Sequence, residues 1–457
     1  MCGVFGYIGQ RNAVEVCCRG LEMLEYRGYD STGIAGVSDG SIAYCKRAGK
    51  LAALKQVLNL STLELAIAHT RWATHGAVND QNAHPHLDST KSFAIIHNGI
   101  IENYAGLREA LQKEGKVFAS DTDTEVIVQL VAKHYRGDLA QALYETLPLL
   151  EGIFSVLLIH KDHSKEIVAA AHGCPLAIAI DDEKTETIIS SDPNTFFGAN
   201  FNVIFLHERE IARIQKGKVE IYGNDFMKKK KKSEKIEGIL QAPSKNGFEH
   251  FMLKEIFEQP ATIKTALLTP WNALNIPDRF FQQMSKVWIL GSGTSAHAGA
   301  IGALLLEELV GLPAICDIAS EARYRTSLLS PKTLVLAISQ SGETADTLSA
   351  LREVKKHGCK VLALCNVENS AIVREADGAL FLKAGPEVSV CSTKAFTSQL
   401  AVLSLFALFV AKHKKTLSQE AADAFHSDLQ MIPMLVQKVL ERTEDIQRIA
   451  KKICSIS

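Results

Sequence analysis

Apolar positions recur along this chain in two arrangements, and the change from one to the other divides it. From Cys2 to about residue 220, short β-rich runs alternate with helical ones. Val4-Phe5-Gly6-Tyr7-Ile8, Ala66-Ile67-Ala68-His69 and Phe93-Ala94-Ile95-Ile96-His97 read as buried strands, being short runs in which few positions are polar. Residues 124–134 and 138–149 carry helical spacing, and residues 154–159 and 167–171 return to strand character. This mixture predicts an α/β unit of layered sheets with flanking helices.

From about residue 276 the pattern becomes strand–helix–strand–helix. Val287-Trp288-Ile289-Leu290 and Thr333-Leu334-Val335-Leu336-Ala337-Ile338 read as strands, each followed by a Gly/Ser/Thr-rich turn and a helix. Val361-Leu362-Ala363-Leu364 and Ala379-Leu380-Phe381-Leu382 continue the series. Short connections in such a series predict a doubly wound parallel sheet, with ligands held at the carboxyl ends of its strands. Between the two regions lie five consecutive lysines, 228–232, with Lys235 close behind, which read as a solvated linker. After about residue 420 the pattern is helical to Ser457. The expected division is a first domain over 1–220, a linker over 221–275, a second domain over 276–420 and a helical segment over 421–457. The longest apolar run, 400–411, is too short to span a bilayer and reads as a helix buried in the core or at a subunit contact.

Composition narrows the partners. At 457 residues there is room for about three domains. Lys and Arg number 50 against 51 Asp and Glu, so no net charge is available to gather phosphate backbones, and nucleic acid is not an expected partner. The ten cysteines form no CxxC pair, which fits reduced cytoplasmic thiols rather than a disulfide framework or a zinc site. No basic region followed by an apolar run opens the chain, so neither a signal peptide nor a membrane is expected.

The chemistry concentrates near the start. Cys2 follows the initiator Met, and its small side chain allows that Met to be trimmed. Trimming leaves one residue with a thiol and a free amine. The thiol, with an ordinary pKa of about 8.5, needs a base, and a terminal amine near 8 is suited to take its proton. Arg27-Gly28-Tyr29-Asp30-Ser31 forms a polar turn. His69-Thr70-Arg71-Trp72-Ala73-Thr74-His75-Gly76 follows a strand and gathers a guanidinium, a hydroxyl and an imidazole; a guanidinium grips a carboxylate with paired hydrogen bonds. The Asn98 amide and the Gly99 N–H, at the end of another strand, suit a developing oxyanion. Asp123 can hold an ammonium group, cap the helix that follows, or do both. Five histidines fall between 69 and 97, but His84-Pro85-His86 is not a helical pair and no carboxylate or thiolate stands at ligand spacing, so no metal site is expected.

These segments, with Cys2-Gly3-Val4-Phe5-Gly6, Tyr26 and Thr122-Asp123-Thr124-Glu125, resemble the class II, N-terminal-nucleophile glutamine amidotransferases, and most nearly the glutamine–fructose-6-phosphate aminotransferases. The resemblance implies an α/β/β/α first domain in which Cys2 attacks the glutamine side-chain amide and its own amine shuttles the proton. It implies that Asn98 and Gly99 form the oxyanion hole, and that Arg71, Thr74, His75, Gly99 and Asp123 bind L-glutamine. Trp72 then gates ammonia transfer, and Arg27 and Gly28 orient the site.

The second region carries Gly291-Ser292-Gly293-Thr294-Ser295-Ala296 and Ser339-Gln340-Ser341-Gly342-Glu343-Thr344. The first fits a loose dinucleotide pattern, but two hydroxyl-rich turns, each opening a helix, suit a small phosphate monoester better. They resemble the sugar isomerase (SIS) domain of the same family, as does the segment from Glu387 to Thr397. By that likeness Thr294, Ser295, Ser339, Gln340, Ser341, Thr344, Val390 and Ser392 hold fructose 6-phosphate. Ser389 stands where many relatives have Gly. The family carries a second sugar isomerase domain, with its catalytic carboxylate, Schiff-base lysine and ring-opening histidine, which nothing after residue 420 encodes. The expectation is therefore a fragment or truncated product, or else a variant that cannot complete sugar chemistry alone. In either case it is a homodimer without cofactors that keeps glutamine hydrolysis but makes little or no glucosamine 6-phosphate. The alternatives are another class II amidotransferase, such as the phosphoribosyl-pyrophosphate-dependent one, and a phosphosugar-binding regulatory protein.

Overall fold

The computed structural model of the protein describes residues 2–196, 200–237, 244–269, 276–325 and 329–454. The chain divides into two compact units, residues 1–242 and 243–457.

The first unit is built on two sheets. The larger has eight strands in the order Glu234–Glu237, Asn200–Phe205, Ala177–Asp181, Glu186–Ser190, Gly3–Gly9, Leu65–Arg71, Ser31–Ser38 and Ser41–Ala48. The other has seven, in the order Lys228–Lys229, Lys218–Tyr222, Glu210–Gln215, Ile167–His172, Gly152–His160, Phe93–Ile101 and His86–Leu87. The named pairings within both are antiparallel.

Alternation along each strand explains the layering. Phe5 and Tyr7 face outward into a core with Val14, Cys17 and Leu21 of the helix Ala13–Leu24. Val4 and Ile8 face the other way, onto Ile96, Leu157 and Ile159 of the second sheet. Gly6 lies on that inner face, where a Cβ would sit 2.8 Å from the Leu157 side chain. The outer face of the second sheet packs Ile95, Phe154 and Val156 against Val126, Ile127 and Leu130 of the helix Thr124–His134 and Leu143 of Leu139–Thr146. The order of layers is thus helix, sheet, sheet, helix, as expected.

The second unit holds a five-stranded parallel sheet in the order Ala314–Ile318, Lys286–Gly291, Thr333–Ser339, Lys360–Cys365 and Gly378–Phe381. One face packs Val287, Ile289, Leu334 and Leu336 against Phe251–Ala266, Thr294–Val310 and Lys394–Lys414. The opposite face packs Trp288, Val335 and Val361 against Ala345–Lys356. This is the doubly wound arrangement, and chain order reverses between the two strands whose turns carry the hydroxyls.

Two expectations change. Residues 221–237 are strand-forming parts of the first unit rather than linker: Lys228 pairs with Glu220 and Lys231 with Glu210, so those lysines are neutralised where they lie. Residues 251–266 form a helix that sends Ile263 and Ala266 into the core of the second unit. The remainder of the expected linker, 238–243 and 270–275, lies outside the described residues, as does Ser457. Residues 419–440 and 443–454 are helical. Lys394–Lys414 is the one described helix long and apolar enough to cross a membrane. Phe406, Ala407 and Val410 are fully buried within their own unit, so this helix is part of its core.

Candidate active site

Pairing of Gly3 with Thr70 sets Cys2 beside Arg71 and Trp72 at the mouth between the sheets. The Cys2 Sγ accepts the Trp72 N–H at 3.2 Å, and its S–H donates to the Trp72 carbonyl at 3.4 Å. Burial lifts the thiol pKa above its ordinary value, against the pull of the Trp72 N–H and the Arg71 charge. The thiol therefore needs a proton acceptor to become a nucleophile.

Asn98 reaches across from the second sheet: its Nδ2 donates to the Cys2 carbonyl oxygen at 2.9 Å. The next residue, Gly99, has φ of +125°, and a Cβ there would lie 2.0 Å from the Ile153 carbonyl oxygen. Only glycine fits that position.

Asp123 is buried, and its Oδ2 accepts the Ile101 N–H at 2.9 Å. It does not cap its helix with its side chain, contrary to one of the two roles expected of it. Its backbone is already helical, φ −66° and ψ −28°, unlike the extended conformation that brings a capping carboxylate to the helix N–H groups. Glu125 instead gathers the Ala119 and Ser120 N–H groups at 2.8 and 2.7 Å.

The segment 71–76 folds over itself. Arg71 is buried and donates to the Ala77 carbonyl at 3.4 Å and to that of His75. Thr74 Oγ1 and His75 Nδ1 are 3.3 Å apart, and the His75 ring meets Tyr104 edge-on at 5.0 Å. The Trp72 ring is 39% exposed and packs edge-on to Tyr29 at 5.5 Å.

The turn at 26–30 braces this segment. Asp30 donates its N–H to the Arg71 carbonyl at 3.0 Å and accepts the Ala73 N–H at 2.8 Å. A Cβ on Gly28 would stand 2.7 Å from the Arg71 carbonyl carbon, so the close approach requires glycine. Arg27 holds the turn by a buried ion pair with Asp192 at 2.9 Å, and the Tyr26 hydroxyl donates to the same carboxylate oxygen. Asp192 escaped the sequence reading because its partner is 165 positions away; the only signal was an acidic residue after an apolar strand.

Four of the five histidines, 69, 84, 86 and 97, are buried and meet protein oxygens. His84 Nε2 and His97 Nδ1 both meet Thr124 Oγ1, at 2.9 and 3.0 Å, and His86 Nε2 meets Thr122 Oγ1 at 3.2 Å. Among the described residues no group of three His, Cys, Asp or Glu side chains is arranged to hold a metal.

In the second unit the two hydroxyl-rich turns stand side by side, because their strands pair directly. Thr294 and Ser295 open the helix Thr294–Val310, and Ser295 Oγ accepts from Gln399 Nε2 at 3.0 Å. Ser339 Oγ accepts the Gly342 N–H at 3.0 Å and lies 3.0 Å from Thr344 Oγ1, while Ser341 Oγ accepts the Glu343 N–H at 3.2 Å. Gln340 lies between them in the same turn. Val390 is exposed, and Ser392 donates to Glu387 at 2.9 Å. Their loop is pinned by the buried Glu255, which accepts the Val388 and Ser389 N–H groups at 2.6 and 3.2 Å. Glu255 falls in a segment, 250–260, that resembles the lead into this domain in the family, but the sequence reading gave it no role.

Comparison with known proteins agrees with this division. Residues 69–197 match a family described as glutamine amidotransferase domain, and residues 280–409 match one described as SIS domain. The chain is similar to glutamine–fructose-6-phosphate aminotransferase [isomerizing] of Thermus thermophilus, at 41% identity over 99% of this chain and 76% of that protein. The protein of the same name from Fusobacterium nucleatum matches at 39% identity, over 100% of this chain and 76% of its own length. Among solved structures, the C-terminal domain of glucosamine-fructose-6-phosphate aminotransferase from Francisella tularensis matches at 38% identity, covering 45% of this chain and 60% of that one, with a TM-score of 0.43.

Proposed function

This chain belongs to the glutamine–fructose-6-phosphate aminotransferase family, and from that premise we propose that it hydrolyses L-glutamine at Cys2 and directs the ammonia to fructose 6-phosphate. The contact that supports the first half best is the Asn98 amide reaching across two sheets to Cys2, with the Gly99 backbone beside it.

The reaction follows from the groups at hand once Met1 is removed. The sulfur bonds to the δ-carbonyl carbon of glutamine as its proton passes to the α-amine of Cys2. The carbonyl electron pair moves onto oxygen, where the Asn98 Nδ2 and Gly99 N–H donate to it; such a donor contributes on the order of 3 kcal/mol. Collapse breaks the C–N bond, and the proton stored on the amine leaves with ammonia. Water then cleaves the thioester, restoring the thiol and releasing glutamate. Arg71 and Asp123 bear the opposite charges that the two ends of an amino acid require, with Thr74 and His75 at the same mouth and Trp72 over it.

For the sugar half, the turns at Thr294–Ser295 and Ser339–Thr344 offer hydroxyls and helix-opening N–H groups to a phosphate, and Val390 and Ser392 on the pinned loop would add to the sugar's contacts. The position of both turns at the strand-order reversal supports this assignment. We take the protein to work in the cytoplasm, its ten cysteines being unpaired, and as a homodimer, to which the exposed Ile301 and Leu304 would contribute apolar area.

Glutamate and glucosamine 6-phosphate are assayed separately with the 457-residue chain. Cys2→Ala is expected to abolish glutamate release and leave fructose 6-phosphate binding unchanged. A protein whose glutamine hydrolysis survives that substitution does not use Cys2 as its nucleophile. A phosphosugar-binding regulator would show no turnover to lose.

A further inference from the structure

The strand Leu65–Arg71 turns Ile67, His69 and Arg71 toward the second sheet. His69 is completely buried there. Its Nε2 lies 3.0 Å from the His97 carbonyl oxygen and 3.1 Å from Asn98 Oδ1. A backbone carbonyl only accepts, so Nε2 carries the hydrogen and shares it between the two oxygens. The other ring nitrogen, Nδ1, is buried with no hydrogen-bond partner. Protonating it would bury an unanswered N–H, so the ring stays neutral and its tautomer is fixed. Burial, first, and the neighbouring His97 lower its pKa to about 3, in line with that reading.

The consequence falls on Asn98. An amide has two ends of nearly equal size and opposite hydrogen-bonding character. The end facing His69 must accept, which leaves the Nδ2 end facing Cys2, where it donates at 2.9 Å. We propose that His69 is a positioning residue for glutamine hydrolysis, its Nε2–H orienting the Asn98 side chain so that an N–H, not a carbonyl oxygen, meets the developing oxyanion. The proposal rests on the glutaminase reading and adds to it a residue that touches neither substrate nor sulfur.

The competing account is a buried histidine that merely fills space. His69→Phe keeps the ring and removes the donor; His69→Gln restores a donor of similar reach. If His69 acts through Asn98, the Phe variant loses about tenfold to a hundredfold in kcat with KM for glutamine within about twofold, and the Gln variant recovers part of the loss. In an Asn98→Ala background the same Phe substitution costs less than about twofold, since the amide it orients is gone. Equal losses in both backgrounds, or full kcat in the Phe variant, would overturn the proposal. Should that variant fail to fold, nitrogen NMR of histidine-labelled Cys2→Ala protein still decides: a protonated Nε2 and bare Nδ1 on His69 support it, and the opposite tautomer refutes it. Wild-type protein without glutaminase activity would instead fail the underlying reading and leave the tautomer measurement standing.

Discussion

Arg27 and Asp192 meet with both side chains 3% exposed, so the pair is worth most when considered by what breaking it leaves behind. Removing one partner from a buried ion pair strands the other charge, at a cost of about 3–5 kcal/mol. Burial pushes the Asp192 carboxyl up, yet the Arg27 charge, the Tyr26 hydroxyl and the Asn194 N–H together hold it below the usual carboxylate range. A depressed carboxyl contributes its stability above its unfolded pKa, about 4, and loses it as the pH falls further. Asp192→Asn is therefore expected to lower the urea midpoint at pH 7 and to slow glutamine hydrolysis, because the turn that braces Arg71–Ala73 loosens. At this scale the sequence was legible where function compresses residues into short segments, as at 69–76 and 97–99. It was silent on Asp192, on the role of Glu255 and on the His69–Asn98 contact, whose partners are brought together only by the tertiary fold.

Between residue and molecule, the strand Ser41–Ala48 fastens the loop that follows Gly76. Lys46 Nζ donates to the carbonyls of Gln81, Ala83 and Pro85 at 3.0, 2.8 and 3.2 Å. Arg47 meets Asp80 at 2.6 Å, and the Ala48 N–H donates to the same carboxylate at 2.7 Å. Since Arg71 donates into the start of this loop at Ala77, slack there reaches the groups proposed to hold glutamine. Lys46→Met should raise KM for glutamine several-fold with a smaller change in kcat, and should speed proteolytic cutting near 77–82; steady-state kinetics and limited proteolysis check both. Regular elements were legible because their apolar runs are long and central. The strand Ala314–Ile318 escaped because it lies at a sheet edge and carries Cys316 and Asp317 among its apolar residues. The sheet strands beyond 220 escaped because lysine-rich sequence resembles a solvated connection until its carboxylate partners are placed.

For the whole molecule, the four buried histidines set a limit in acid. Burial, first, lowers the pKa of each: His69 to about 3, His84 and His86 well below the ordinary value, and His97 in the same direction. The unfolded chain takes up protons near pH 6.5 while the folded one does not, so stability is full above that pH and falls below it. Each such histidine contributes a slope of about 1.4 kcal/mol per pH unit until its folded form titrates. Urea midpoints measured from pH 7.5 down to 5 should fall steeply, and His84→Gln should flatten the curve even though it lowers stability at pH 7.5.

The helix Lys394–Lys414 carries a further consequence for how the protein is made. Its apolar side chains complete the core on one side of the parallel sheet, packing with Phe251–Ala266 and Thr294–Val310, yet the ribosome delivers it only after every strand of that sheet has emerged. Until it arrives, the apolar faces of Phe251–Ala266 and Thr294–Val310 lack their third helix, and a nascent chain stalled before residue 394 presents them to its neighbours. Such stalled or prematurely terminated products are destined for chaperones or inclusion bodies, while the chain that gains those twenty-one residues closes its own surface.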